Sequence, residues 1–123
     1  MSTLNVSNIS DGTDTVETGY VVNGSAKAWV NFNGTGTIAT RDSFNVSSLT
    51  DVGAGQYRIN FSNSMANTGY SFATTNRINE NIVGSVAAFH LTTSIELQSR
   101  ATTSTGTETD TDYVCGIIQG DLA

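Results

Sequence analysis

The clearest periodicity in the chain begins at Ala28, where Ala28, Val30 and Phe32 alternate with Trp29, Asn31 and Asn33. A period of two turns successive side chains to opposite faces of a strand, so one face is core and the other carries Trp29. That tryptophan then needs a subunit contact or a second packed layer. The alternation returns in "SFNVSSL", with Phe44 and Val46 inward, and in "QYRINFS", with Tyr57, Ile59 and Phe61 opposed to Arg58 and Asn60. "DVGAG" lies between them, and the two segments are expected to form a hairpin around Gly53 and Gly55. "GYSFAT" repeats the pattern with Tyr70 and Phe72. "AAFHLTTSIELQS" carries one or two further strands through Phe89, Leu91, Ile95 and Leu97, and "YVCGII" is an apolar final strand.

Around these runs the periodicity weakens. Residues 1–24 include the polar, acidic stretch "SDGTDTVETG" and form an extended N-terminal or linker segment, in which Leu4, Val6, Ile9 and Val16 would need a partner surface to be ordered. Asn23-Gly24 is suited to a tight turn, with a short helical turn over 25–28 as the alternative. Residues 74–85, "TTNRINENIVGS", and 99–112, "SRATTSTGTETDTD", are expected to be long polar loops, the places on a rigid β scaffold where recognition concentrates. The expected fold is therefore all-β, with residues 25–123 forming a single β-sandwich or barrel of about seven or eight short antiparallel strands.

Composition supports this reading. The 123-residue chain has the size of one domain, and only 13% of its residues are charged, so its polar surface comes from Thr, Ser, Asn and Gly. Strands with few charges have few devices to blunt exposed edges, which favours sheet closure or association between copies. The formal net charge of −6 repels phosphate backbones and anionic lipids, arguing against a nucleic-acid partner. No apolar run approaches a membrane span, and the first residues lack the features of a signal peptide, so membrane insertion is not expected.

Reactive chemistry is scarce. With one His and one Cys, a nucleophile–base pair would have to recruit His90, and no glycine-flanked serine elbow is present. "NGTGT" lacks the Lys-Ser/Thr ending of a phosphate loop. Cys115, in an apolar run, is expected to be a small buried hydrophobe. No enzymatic activity and no cofactor are expected, with one reservation. In "ETDTD", an extended backbone would put Glu108, Asp110 and Asp112 on one face, where they could hold a hard cation such as calcium.

One resemblance ties several blocks together. "AKAWVNFNGTGT", followed by "IATRDSFNVSSLTDVGAGQYRINFSNSMANTGYSF", resembles a module that recurs at the C-terminal ends of bacteriophage tail fibres, especially in phages of marine bacteria and cyanobacteria. The likeness covers residues 26–72, and "SIELQS" and "DYVCGIIQGD" resemble the module's last strands. It implies a virion protein made in the bacterial host cytoplasm, a β-sandwich or jelly-roll-like knob that associates as a homotrimer and attaches to a host surface glycan or other receptor. Residues 1–24 would then be the exit from a fibre shaft, and Trp29 a trimer contact. Receptor contacts would come from the two long connections: Asn76, Arg77, Asn79, Glu80 and Asn81 in the first, Thr105 and Thr107 in the second. The alternatives are an architectural fibre or baseplate adaptor binding other phage tail proteins, and a glycan depolymerase using Asp42 and Asp51.

Overall fold

The computed structural model describes residues 1–78, 81–100 and 106–123. A small hairpin, β1 (Asn8–Ser10) with β2 (Thr15–Glu17), leads into helix α1 (Thr18–Gly24). Eight strands follow: β3 (Ala26–Asn33), β4 (Ala39–Phe44), β5 (Val46–Gly53), β6 (Gln56–Phe61), β7 (Ser71–Ile78), β8 (Asn81–His90), β9 (Ser94–Arg100) and β10 (Tyr113–Gln119). They are ordered β4-β3-β10-β7-β8-β9-β6-β5, and every pairing is antiparallel. The fold is thus all-β. Among the described residues no helix is long and apolar enough to cross a membrane.

The sheet folds over a single core. Ala28, Val30 and Phe32 of β3 and Val114 and Ile118 of β10 join Tyr57, Ile59 and Phe61 of β6 and Ile95 and Leu97 of β9 in one buried cluster. Each set sits at alternate positions, so burial follows from the period of two that the sequence displays. β8 links the halves: its first residues pair with β7 and its later ones with β9. Phe32 meets Tyr57 edge-on with ring centroids 5.2 Å apart, and Phe61 meets Tyr70 in the same way at 5.9 Å.

The second link is a corner at Asn45, whose φ of 56° places it in the left-handed region that asparagine tolerates better than most residues. Its side chain holds the bend. Nδ2 donates to the carbonyls of Lys27 (3.0 Å) and Asn63 (3.2 Å), while Oδ1 accepts from the Asn63 N–H (2.8 Å) and Nδ2 (3.0 Å). The bend breaks the alternation that "SFNVSSL" suggests. Val46 packs on the core, but Phe44 belongs to β4 and is 55% exposed, not inward.

Three other expectations are corrected. Cys115 is not buried: full burial of Val114 and Ile118 puts Tyr113, Cys115 and Ile117 on the outer face. Residues 74–85 are not a loop, because β7 and β8 pair as strands from Asn76↔Val83 to Ile78↔Asn81. Asn23 and Gly24 end helix α1 instead of forming a hairpin turn, the Ser25 N–H and Oγ both bonding to the Val21 carbonyl. The expected β5–β6 hairpin is present, with Gly53 opposite Gln56.

The corner yields a prediction. Asn45→Ala keeps a β-carbon in the left-handed region but loses the side-chain hydrogen bonds that compensate it, and should lower stability by about 2–3 kcal/mol in urea denaturation. Asn45→Gly loses the same hydrogen bonds but relieves the β-carbon's strain at positive φ, and should lose less.

Candidate interaction surface

The two outer faces of the folded sheet differ in chemistry. Outside β5, β6 and β9 the surface is mostly polar, with the exposed Phe89 of β8 opposite Glu96 at its margin: Asn60 Nδ2 donates to Ser48 and Thr50, and Arg58 Nη2 reaches Glu96 Oε2 at 2.9 Å. That carboxylate is largely buried, and the guanidinium compensates its desolvation.

Outside β4, β3, β10 and β7 the surface is apolar across its middle. The registers Phe44↔Trp29, Trp29↔Ile117 and Ile117↔Ala73 set these four residues side by side in one row across four strands. Phe44 remains 55% and Ile117 43% exposed. Beside the row lies a shallow depression of about 400 Å3, lined in part by Trp29, Asn31, Ala73, Thr75, Cys115 and Ile117.

Further along the same face, Tyr113 carries two guanidinium groups, Arg41 at 3.9 Å and Arg77 at 4.6 Å from its ring centroid. Arg41 is fixed by donating from Nη2 to the Asp112 carbonyl (2.6 Å) and from Nη1 to Asn31 Oδ1 (3.3 Å). Arg77 pairs with Asp112 Oδ2 at 3.6 Å.

The acidic run ahead of β10 is a strap along the sheet edge whose three carboxylates go to three different places. Glu108 bridges back to Arg100 and accepts from Gln56 Nε2 at 2.5 Å. Asp110 Oδ1 turns inward, accepting the Gly55 N–H at 2.7 Å and lying 3.3 Å from the Tyr57 hydroxyl. Asp112 turns outward to Arg77. The shared face expected for these three residues requires continuous strand geometry, and here only Glu108 makes a β-bridge. Among the described residues no cluster of three or more His, Cys, Asp or Glu side chains could hold a metal ion.

The expected receptor residues scatter. Asn76 is a correction: on the inward face of β7 it is only 1% exposed, its Oδ1 accepting from Thr74 Oγ1. Arg77, next in sequence, faces outward beside Tyr113. Asn81 begins β8, and Thr107 is exposed in the strap. Asn79, Glu80 and Thr105 lie outside the described residues. Trp29 faces outward as expected. Asp42 is on β4 and accepts its neighbour Ser43's N–H, whereas Asp51 is on β5, at the other end of the strand order. The sequence reading missed Phe44, Arg41, Tyr113 and Ile117. For Tyr113 and Ile117 the signal was available, since Val114 and Ile118 lie at inward positions of the same alternation.

Two tyrosines carry the response at high pH. Burial pushes the Tyr70 phenol up to about 12, partly offset by a backbone hydrogen bond from Leu91. Burial also raises Tyr57, opposed by the N–H that Thr111 donates to its oxygen and reinforced by the charge of Asp110. Both groups stay protonated in the fold at a pH where the unfolded chain ionises. Their contribution is therefore intact below about pH 10 and lost as pH rises from there towards 12. A stability profile across that window should fall steeply for the native chain and less so for Tyr70→Phe.

Compared with family models, curated proteins and solved structures, the chain matches none.

Proposed function

We propose that the chain is a non-enzymatic virion protein, the distal knob of a bacteriophage tail fibre, which associates as a homotrimer and attaches to a glycan on the host cell surface. In this reading the folded sheet is a β-sandwich of jelly-roll type, and the protein resides in the virion after synthesis in the host cytoplasm. The observation that carries the reading is the asymmetry of the two outer faces. One is built mostly of hydroxyls, amides and an ion pair, with the exposed Phe89 at its margin, whereas the other combines Phe44, Trp29 and Ile117 with Tyr113, Arg41 and Arg77. Aromatic residues and arginine are the types enriched in the centres of protein interfaces. A protein that presents them on one face is suited to bury that face against other copies of itself.

Subunit contact on that face leaves the end of the sheet for the host. Asn81 at the start of β8 and Thr107 in the strap lie at this end, where β8, β9 and the strap adjoin through Gly84↔Arg100 and Arg100↔Glu108. Asparagine and threonine side chains exchange hydrogen bonds with sugar hydroxyls without introducing charge.

Light scattering on a sizing column tests the assembly, with an expected mass of three chains. Trp29→Ser combined with Phe44→Ser should shift it towards monomer while the circular dichroism of the sheet persists. Asn81→Ala with Thr107→Ala should keep the trimer and weaken adsorption of the purified protein to a panel of marine bacteria. A native chain that stays monomeric at all concentrations overturns the knob reading.

A further inference from the structure

The exposed apolar side chains that remain are concentrated at the start of the chain. Leu4, Val6, Ile9, Val16, Tyr20 and Val22 are all exposed, and no residue of 1–25 is buried. This arm has regular structure that cannot stand by itself. β1 and β2 pair over three residues each, and an isolated two-stranded hairpin is marginal in water. Helix α1 has seven residues and no side-chain cap, far short of the length at which isolated helices persist. Among the described residues, the bonds between arm and body lie at its root, where Lys27 Nζ donates to the Val22 carbonyl and Gln119 Nε2 to the Gly24 carbonyl. Beyond that root the hairpin and helix need a surface that the described residues of their own chain do not bring to them.

Such a surface exists on every copy. In the apolar row Phe44 and Ile117 are exposed and Trp29 is partly so, and the depression beside it is open to branched side chains such as Ile9 or Val16. The charges also match. The first 26 residues contain Asp11, Asp14 and Glu17 and no Lys or Arg, while the sheet face and the end of its β3 carry Lys27, Arg41 and Arg77, three of the chain's five basic side chains. Acidic and basic patches that meet in this way steer association and set its register.

We infer that residues 1–24 of one copy lie across the outer face of β4, β3, β10 and β7 of a neighbouring copy. Their apolar side chains seat on Phe44, Trp29 and Ile117, and their carboxylates lie towards Lys27, Arg41 and Arg77. The inference rests on the reading of the chain as self-associating and names what fills the interface. Each copy gives an arm and receives one, so the contact is reciprocal or closes a ring.

Cys115 lies on this face and is the only cysteine, which makes the test direct. Two tagged forms of the full chain are mixed during refolding and mildly oxidised: one carries Cys115→Ser with Ile9→Cys, Val16→Cys or Val21→Cys, and the other is native. A disulfide joining the two tags is expected for at least one arm position. Separately, Ile9→Asp with Val21→Asp should weaken association by roughly tenfold or more with the sheet's circular dichroism unchanged. If the native chain associates but the arm variants keep its mass and no inter-chain disulfide forms, the arm inference fails and self-association stands. In a third form that keeps Cys115 beside the arm cysteine, a disulfide that forms only within one chain would mean that the arm covers its own sheet, and the inference is overturned. A native chain that is monomeric throughout removes both.

Discussion

The Tyr57 hydroxyl holds together three segments that no strand pairing joins. Its ring is fully buried edge-on against Phe32, its oxygen accepts the Thr111 N–H at 3.0 Å, and it lies 3.3 Å from both the Gly34 carbonyl and Asp110 Oδ1, to either of which it can donate. Gly34 returns the connection by donating its N–H to the Thr111 carbonyl at 2.9 Å. The end of β3, the start of β6 and the acidic strap are thereby fixed at one buried point. Only glycine fits at position 34, since a β-carbon there would stand 2.4 Å from the tyrosine ring. A buried network of this kind is stable only when each member is satisfied. Here the Thr111 side chain is also engaged, lying 3.4 Å from Ser99 Oγ.

The outer face depends on that point. Thr111 is two residues before Tyr113, so anchoring its backbone sets where β10 begins between β3 and β7. A slip of one residue in β10 would turn Val114 and Ile118 outward and draw Tyr113, Cys115 and Ile117 into the core. The row that includes Trp29 and the arginines stacked on Tyr113 beyond it share a face only in the register that the tyrosine holds. Asn45 acts similarly on the other side, because its bend delivers Phe44 to this face and Val46 to the core.

Much of the fold was legible because period-two alternation is a local property. Ala28, Val30 and Phe32, and Tyr57, Ile59 and Phe61, declare their inward face without knowledge of their partners, and the glycines of "DVGAG" mark the β5–β6 turn. What was not legible depends on partners distant in sequence. The alternation in "SFNVSSL" suggested one uninterrupted strand, and only the bonds from Asn45 to Lys27 and Asn63 show that the chain turns between Phe44 and Val46. The polarity of "TTNRINENIVGS" suggested a loop, but its inward positions can be occupied by Thr74 and Asn76, which bond to each other within the sheet. The carboxylates of "ETDTD" alternate on paper, yet each follows a different partner, Arg100, Gly55 or Arg77, and none of these was visible from spacing.

The pairing of β3 with β10 has a consequence for how the protein comes to be folded. It joins residues 26–32 to residues 114–119, spanning most of the chain. During synthesis Ala28, Val30 and Phe32 are made early, but their central neighbour emerges last, and non-local pairings of this kind close slowly. Until Tyr113–Gln119 is available, the apolar side of β3 has no finished sheet to complete, and such surfaces are prone to unproductive contacts. Sheet closure therefore waits until every other strand has been made. The order in which the strands leave the ribosome makes the central one the last to arrive.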